Sequence, residues 1–67
     1  MKKYTKLGVA SKITNQKTGE VVQCVKYRKD GTKRVFFAPE CNGKRLTTTL
    51  WARLADAEKV ARLYLNR

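Results

Sequence analysis

Seven cations, Lys26, Arg28, Lys29, Lys33, Arg34, Lys44 and Arg45, fall in the tract from Lys26 to Arg45, against two acids, Asp30 and Glu40. Side chains of this kind make and break no bonds by themselves; they hold anions. The guanidinium fork matches a phosphate or the guanine edge, and Lys supplies a point charge. Lys26, Arg28, Lys33, Arg34, Lys44 and Arg45 are therefore candidate contacts to phosphates or base edges, with Thr47 as a hydroxyl donor. Phe36 and Trp51 are the candidate aromatic contacts. For Trp51 the sequence leaves two roles equally open, stacking on a base or covering the edge of a core. For Phe36 it slightly favours an outward contact over a place in the core.

The whole chain has 16 Lys+Arg and 5 Asp+Glu in 67 residues, a formal charge of +11. Such an excess makes a polyanion the natural partner. Val25, Tyr27, Val35, Phe36 and Phe37 are interleaved with the cations, which separates this tract from a solvated basic arm. Lys2 and Lys3 extend the charge at an exposed terminus.

The remaining chemistry is thin. There is no His, no paired-carboxylate motif, no P-loop and no Gly-rich nucleotide fingerprint, so the chain reads as a non-enzyme that needs no cofactor. Cys24 and Cys41 cannot complete a zinc site without His, and they read as two reduced thiols. After Met1-Lys2-Lys3-Tyr4 no apolar signal core follows, and no stretch approaches the ~20 apolar residues of a membrane span. The expected location is the cytoplasm. The expected partners exclude a membrane, and the sequence leaves the oligomeric state open.

The elements that must position these residues follow from periodicity. Leu7 to Thr14 alternates as a strand. Asn15-Gln16-Lys17-Thr18-Gly19 is a turn cluster, and Val21 to Arg28 is a second strand rich in β-branched and aromatic residues. Lys29-Asp30-Gly31 signals a hairpin into a third strand, Thr32 to Ala38. Pro39 ends that strand or marks an edge. Asn42-Gly43 turns into a fourth strand from Lys44 to about Trp51, where the Thr run favours β structure. The period then changes. Ala57, Val60, Ala61 and Tyr64 recur at helical spacing over about 56–66, with Asp56 as N-cap and Glu58 and Arg67 placed to suit the helix dipole. The predicted fold is a single small α+β domain, an antiparallel three- to four-stranded meander packed against one C-terminal helix.

Register decides which face is free. A type I turn at Lys29-Asp30 with Gly31 as bulge pairs Arg28 with Thr32. Val25 then faces Val35, Tyr27 lies by Lys33, and Gln23 by Phe37. Lys26 falls beside Arg34, and Cys24 beside Phe36. This register gathers Val21, Val25, Val35 and Phe37 for the helix. On the fourth strand, Leu46, Thr48 and Leu50 point to the core, while Arg45, Thr47, Thr49 and Trp51 continue the basic face.

The order strand-turn-strand-turn-strand-helix resembles the DNA-binding domain of plant ethylene-response factors and the N-terminal arm-binding domain of tyrosine-family integrases. The likeness covers about residues 21 to 65. It lies in Leu54-Ala55-Asp56-Ala57-Glu58-Lys59-Val60-Ala61-Arg62-Leu63-Tyr64, and in Lys44 and Arg45 after Asn42-Gly43, which resemble the family's turn into its third strand. Pro39 and Cys41 in the Ala38–Gly43 segment, and the Leu7–Thr14 strand, lie outside that plan. The resemblance implies a three-stranded sheet that enters the DNA major groove, backed by the helix. It also implies a stand-alone module of the kind a phage or mobile element encodes, acting as a regulator or recombination accessory. The charge and fold alone also fit an RNA- or ribosome-associated binder, or a small phage-type inhibitor docking on an acidic protein surface.

Overall fold

The computed structural model describes residues 3–66. Lys2 and Arg67, read above as a charge at an exposed terminus and a helix-end charge, lie outside the described residues. Four strands precede one helix: β1 Tyr4–Thr14, β2 Val21–Lys29, β3 Val35–Cys41, β4 Lys44–Arg45 and α1 Leu54–Leu65. The strands form one antiparallel sheet in the order β1-β2-β3-β4. The expected class, a meander with a C-terminal helix, is the one observed.

The β1–β2 turn is built by Asn15. Its Oδ1 accepts from the backbone N–H of Lys17 at 2.9 Å, and its carbonyl accepts from Gly19, whose φ of 78° is the left-handed region. Asn15 Nδ2 also donates to the Leu65 carbonyl at 2.8 Å, so the same residue makes the turn and holds the end of α1. β1 contains two register shifts, between Lys6 and Gly8 and between Val9 and Ser11.

The β2–β3 register differs from expectation. Arg28 lies opposite Val35 and Lys26 opposite Phe37, a shift of three residues from the expected pairing of Arg28 with Thr32. An odd shift exchanges the faces of one strand relative to the other. The cause is the loop. Lys29 N–H bonds the Arg34 carbonyl at 3.0 Å, leaving Asp30, Gly31, Thr32 and Lys33 between them. Thr32 N–H closes a turn on the Lys29 carbonyl, and Gly31 at its third position has φ 81°, as a type II turn requires. The Thr32 hydroxyl donates to the Lys29 carbonyl and accepts from Arg34 N–H, which satisfies the longer loop. Asp30 is pinned to the start of β1 by Thr5 Oγ1 at 2.6 Å and by its own N–H to the Lys3 carbonyl.

Pro39 does not end β3. It sits inside the strand, opposite Cys24. Phe37 exchanges both backbone bonds with Trp51, so Phe37, Pro39 and Cys41 direct their polar backbone groups away from β2. The missing Pro N–H therefore falls on the β4 side. Pro39 accepts from Leu46 N–H at 2.9 Å but returns no bond. The expected continuous strand from Lys44 to Trp51 breaks there. Thr47, Thr48 and Thr49 loop out, and pairing resumes at Trp51. Strand propensity in the Thr run is overridden by the absent donor.

The helix begins two residues earlier than the expected cap. Arg53 is the N-cap, without a side-chain hydrogen bond, and Asp56 lies in the first turn, where its charge suits the dipole. Glu58 instead accepts from Ser11 Oγ at 2.7 Å and ties α1 to β1. Ala57, Ala61 and Leu65 are buried against Val22 and Cys24, with Ile13, Phe37, Cys41, Leu46, Trp51, Leu54 and Tyr64 around them. Small residues at positions 57 and 61 let the helix sit close to the sheet. Of the four residues expected beneath the helix, Val21, Val25, Val35 and Phe37, only Phe37 packs in this cluster. Val25 instead joins Tyr27 and Ala38 on the opposite face, with Tyr4 and Leu50. The predicted Leu set is divided likewise, Leu46 to the helix side and Leu50 away from it, with Thr48 exposed.

Both cysteines are free thiols. Burial, reinforced by Glu58, pushes the Cys24 thiol up from its ordinary value, so it stays protonated and inert.

Candidate nucleic-acid interface

Charge is distributed by layer. α1 is formally neutral, with Lys59 and Arg62 against Asp56 and Glu58. The excess belongs to the sheet and its turns. α1 spans from the Phe37–Trp51 bridge to the Asn15 turn, and Lys26 and Arg28 lie on the helix side of the sheet beyond its reach, both exposed. Lys29, Lys33 and Arg34, at the adjoining tip, are exposed as well. None of these five pairs with a carboxylate among the described residues. One end of a molecule 41 Å long and 20 by 17 Å across is thus a basic ribbon tip.

The nine candidate residues do not form one surface. Lys26, Arg28, Lys33 and Arg34 meet at this tip. Phe36 and Arg45 lie on the face away from the helix, Phe36 half-buried and edge-on to Tyr4 with ring centroids 5.8 Å apart. Lys44 is exposed at the β3–β4 turn, at the other end of β3. Thr47 spends its hydroxyl on the Thr49 carbonyl at 3.0 Å. Trp51 packs at the edge of the helix-side core. The predicted Lys26–Arg34 like-charge pair does not form, because Phe37 stands opposite Lys26.

The face away from the helix has an organisation that the sequence reading missed. Glu40 is 4% exposed, accepts a hydrogen bond from the Tyr27 hydroxyl, and pairs with Lys6 Nζ at 3.2 Å. Arg45, opposite Glu40 on β4, reaches across the sheet to place its guanidinium 5.1 Å from the centre of the Tyr27 ring. Ala38, fully buried on that face, leaves room for it. Tyr4, Lys6, Tyr27 and Glu40 form the missed set. Sheet parity would have placed Glu40 on the same face as Tyr27, but only in the correct register.

The Tyr27 hydroxyl is pushed up from its ordinary value of 10.0, first by burial and then by its bond to the Glu40 carboxylate, with Arg45 opposing. A raised folded-state value means the neutral form stabilises the fold fully below the unfolded value, and that contribution is lost as pH rises through the folded one. Urea midpoints measured from pH 8 upward are therefore expected to fall above about pH 10. The fall should be shallower in Tyr27→Phe, which has no proton to lose. Equal slopes in the two proteins would contradict the assignment.

No family model matches the chain, and neither a curated protein nor a solved structure matches it.

Proposed function

We propose that this protein binds double-stranded DNA through the basic end of its sheet. The observation that carries the reading is the segregation of charge. The helix layer is neutral, while Lys26, Arg28, Lys29, Lys33 and Arg34 cluster at the β2–β3 hairpin end of the sheet, exposed and without carboxylate partners among the described residues. A β-ribbon fits the B-DNA major groove, and cations on both its faces reach the phosphates lining that groove. An action as a regulator or recombination accessory of a phage or mobile element follows from the resemblance drawn above, and belongs to the same proposal.

The test is a titration of a labelled random duplex and a structured RNA at low and near-physiological salt. Duplex binding that persists at the higher salt, with a steep linear dependence of log K on log salt, is the expected result. Preference for the RNA would redirect the reading to RNA shape recognition. Loss of both at the higher salt would leave an acidic protein surface as the partner to seek.

A further inference from the structure

An open depression of about 570 Å³ lies on the sheet face away from the helix, lined by Lys3, Tyr4, Thr5, Lys6, Tyr27 and Arg45. We infer that this depression is a phosphate seat, and that the phosphate it takes is a backbone phosphodiester of bound DNA. The inference rests on the DNA-binding reading and adds a contact site that the three-stranded plan lacks, because four of the six lining residues come from β1 or just before it.

Three cations, Lys3, Lys6 and Arg45, border the depression, and two acids are bonded to its lining, Glu40 to Lys6 and Tyr27 and Asp30 to Thr5. The local balance is therefore +1. Glu40 is turned inward, and its carboxylate is engaged by Tyr27 and Lys6. Its charge is spent holding the cations in place. Lys6 uses one of three ammonium protons on Glu40, and its side chain is 54% exposed, so donors remain for a second anion. Arg45 holds its guanidinium over the Tyr27 ring, a contact that restrains the side chain before any ligand arrives. A site whose donors are already oriented loses little rotamer entropy on binding. The strand order points to the same source for the phosphate. β1 is the outer strand of the sheet, and at the hairpin end it flanks β2 with no β4 beside β3. With β2 and β3 centred in the groove, β1 is the strand nearest its wall, and that wall is phosphate.

The test compares the full chain with Lys3→Gln, which removes no internal pair, and with the Lys3→Gln/Lys6→Gln double variant. Each is first checked for an unchanged pattern of dispersed amide signals. Two measurements follow: the log–log salt slope for a duplex, and amide shifts at residues 3–6 and 27 on titration with inorganic phosphate. The slope is expected to fall by about 0.9 for Lys3→Gln and about 1.8 for the double variant, one increment per phosphate charge neutralised. A phosphate-dependent shift that the double variant loses, with an unchanged duplex slope, would assign the seat to a free phosphate and overturn the backbone assignment. Unchanged slopes with no phosphate response would overturn the seat itself. If the unmodified protein fails to bind duplex, the DNA-binding reading falls, and the phosphate titration alone still decides whether the depression holds an anion.

Discussion

Replacing Arg28, Lys33 and Arg34 together by Ala is expected to reduce duplex affinity on the order of 100-fold near 0.15 M salt. The estimate takes three phosphate contacts at a slope of about 0.9 each and a 1 M reference. The slope itself should fall by about 2.7. All three side chains are exposed, without carboxylate partners and clear of both apolar clusters, so the midpoint of urea unfolding should hardly move. That separation gives the experiment its force, because a folded variant with unchanged affinity would exclude the ribbon tip as the interface. Arg34→Ala alone discriminates further. A phosphate contact weakens all duplexes alike. A base contact relaxes preference at one position by ~1–3 kcal/mol.

The second large effect concerns the fold. Leu65→Ala is expected to cost about 2–5 kcal/mol, since Leu65 is buried where the last turn of α1 meets Val22 and Ile13. A domain of this size rarely holds more than ~3–5 kcal/mol, so the variant should be largely unfolded at 37 °C. The bond from Asn15 to the Leu65 carbonyl survives the truncation, so the loss reports side-chain packing rather than the helix end. Thermal unfolding followed by near-UV circular dichroism of Trp51 provides the measurement. A cost below about 1 kcal/mol would mean that the helix is not the principal cover of the sheet.

The element types were legible because hydrophobic period and turn residues agree with the final contacts. Alternation marked β1, β-branched and aromatic residues marked β2, Asn15 and Gly19 marked their turn, and the change of period marked α1. The failures have local causes. Gly31 announced a turn correctly but not its length, because the Thr32 hydroxyl satisfies two backbone groups and lengthens the loop. That one choice left Phe37 on the helix side and Phe36 on the other face, as expected, but exchanged the faces of β2: Cys24, Lys26 and Arg28 turn to the helix side, Val25 and Tyr27 away from it, and the candidate site divides with them. Pro39 was read as the end of its own strand or the mark of an edge. Its effect appears instead in the neighbouring strand, which lacks the returning bond and breaks at Thr47. The Glu40 network was invisible because its parts, Lys6, Tyr27, Glu40 and Arg45, come from four strands and meet only once the register is fixed.

The two register shifts in β1 have a consequence for how many copies of this chain can live together in one solution. β1 is the outer strand at one side of the sheet, and Leu7 and Val9 on it are about half exposed. A long, flat, apolar border would act as a template on which further chains could stack without limit. Here the regular pairing is cut into the runs Tyr4–Lys6, Gly8–Val9 and Ser11–Thr14. An arriving strand would find no more than four consecutive residues in phase, and each interruption twists the border away from the plane. The irregularities thus leave the open rim of the sheet without a long regular template for pairing with another strand.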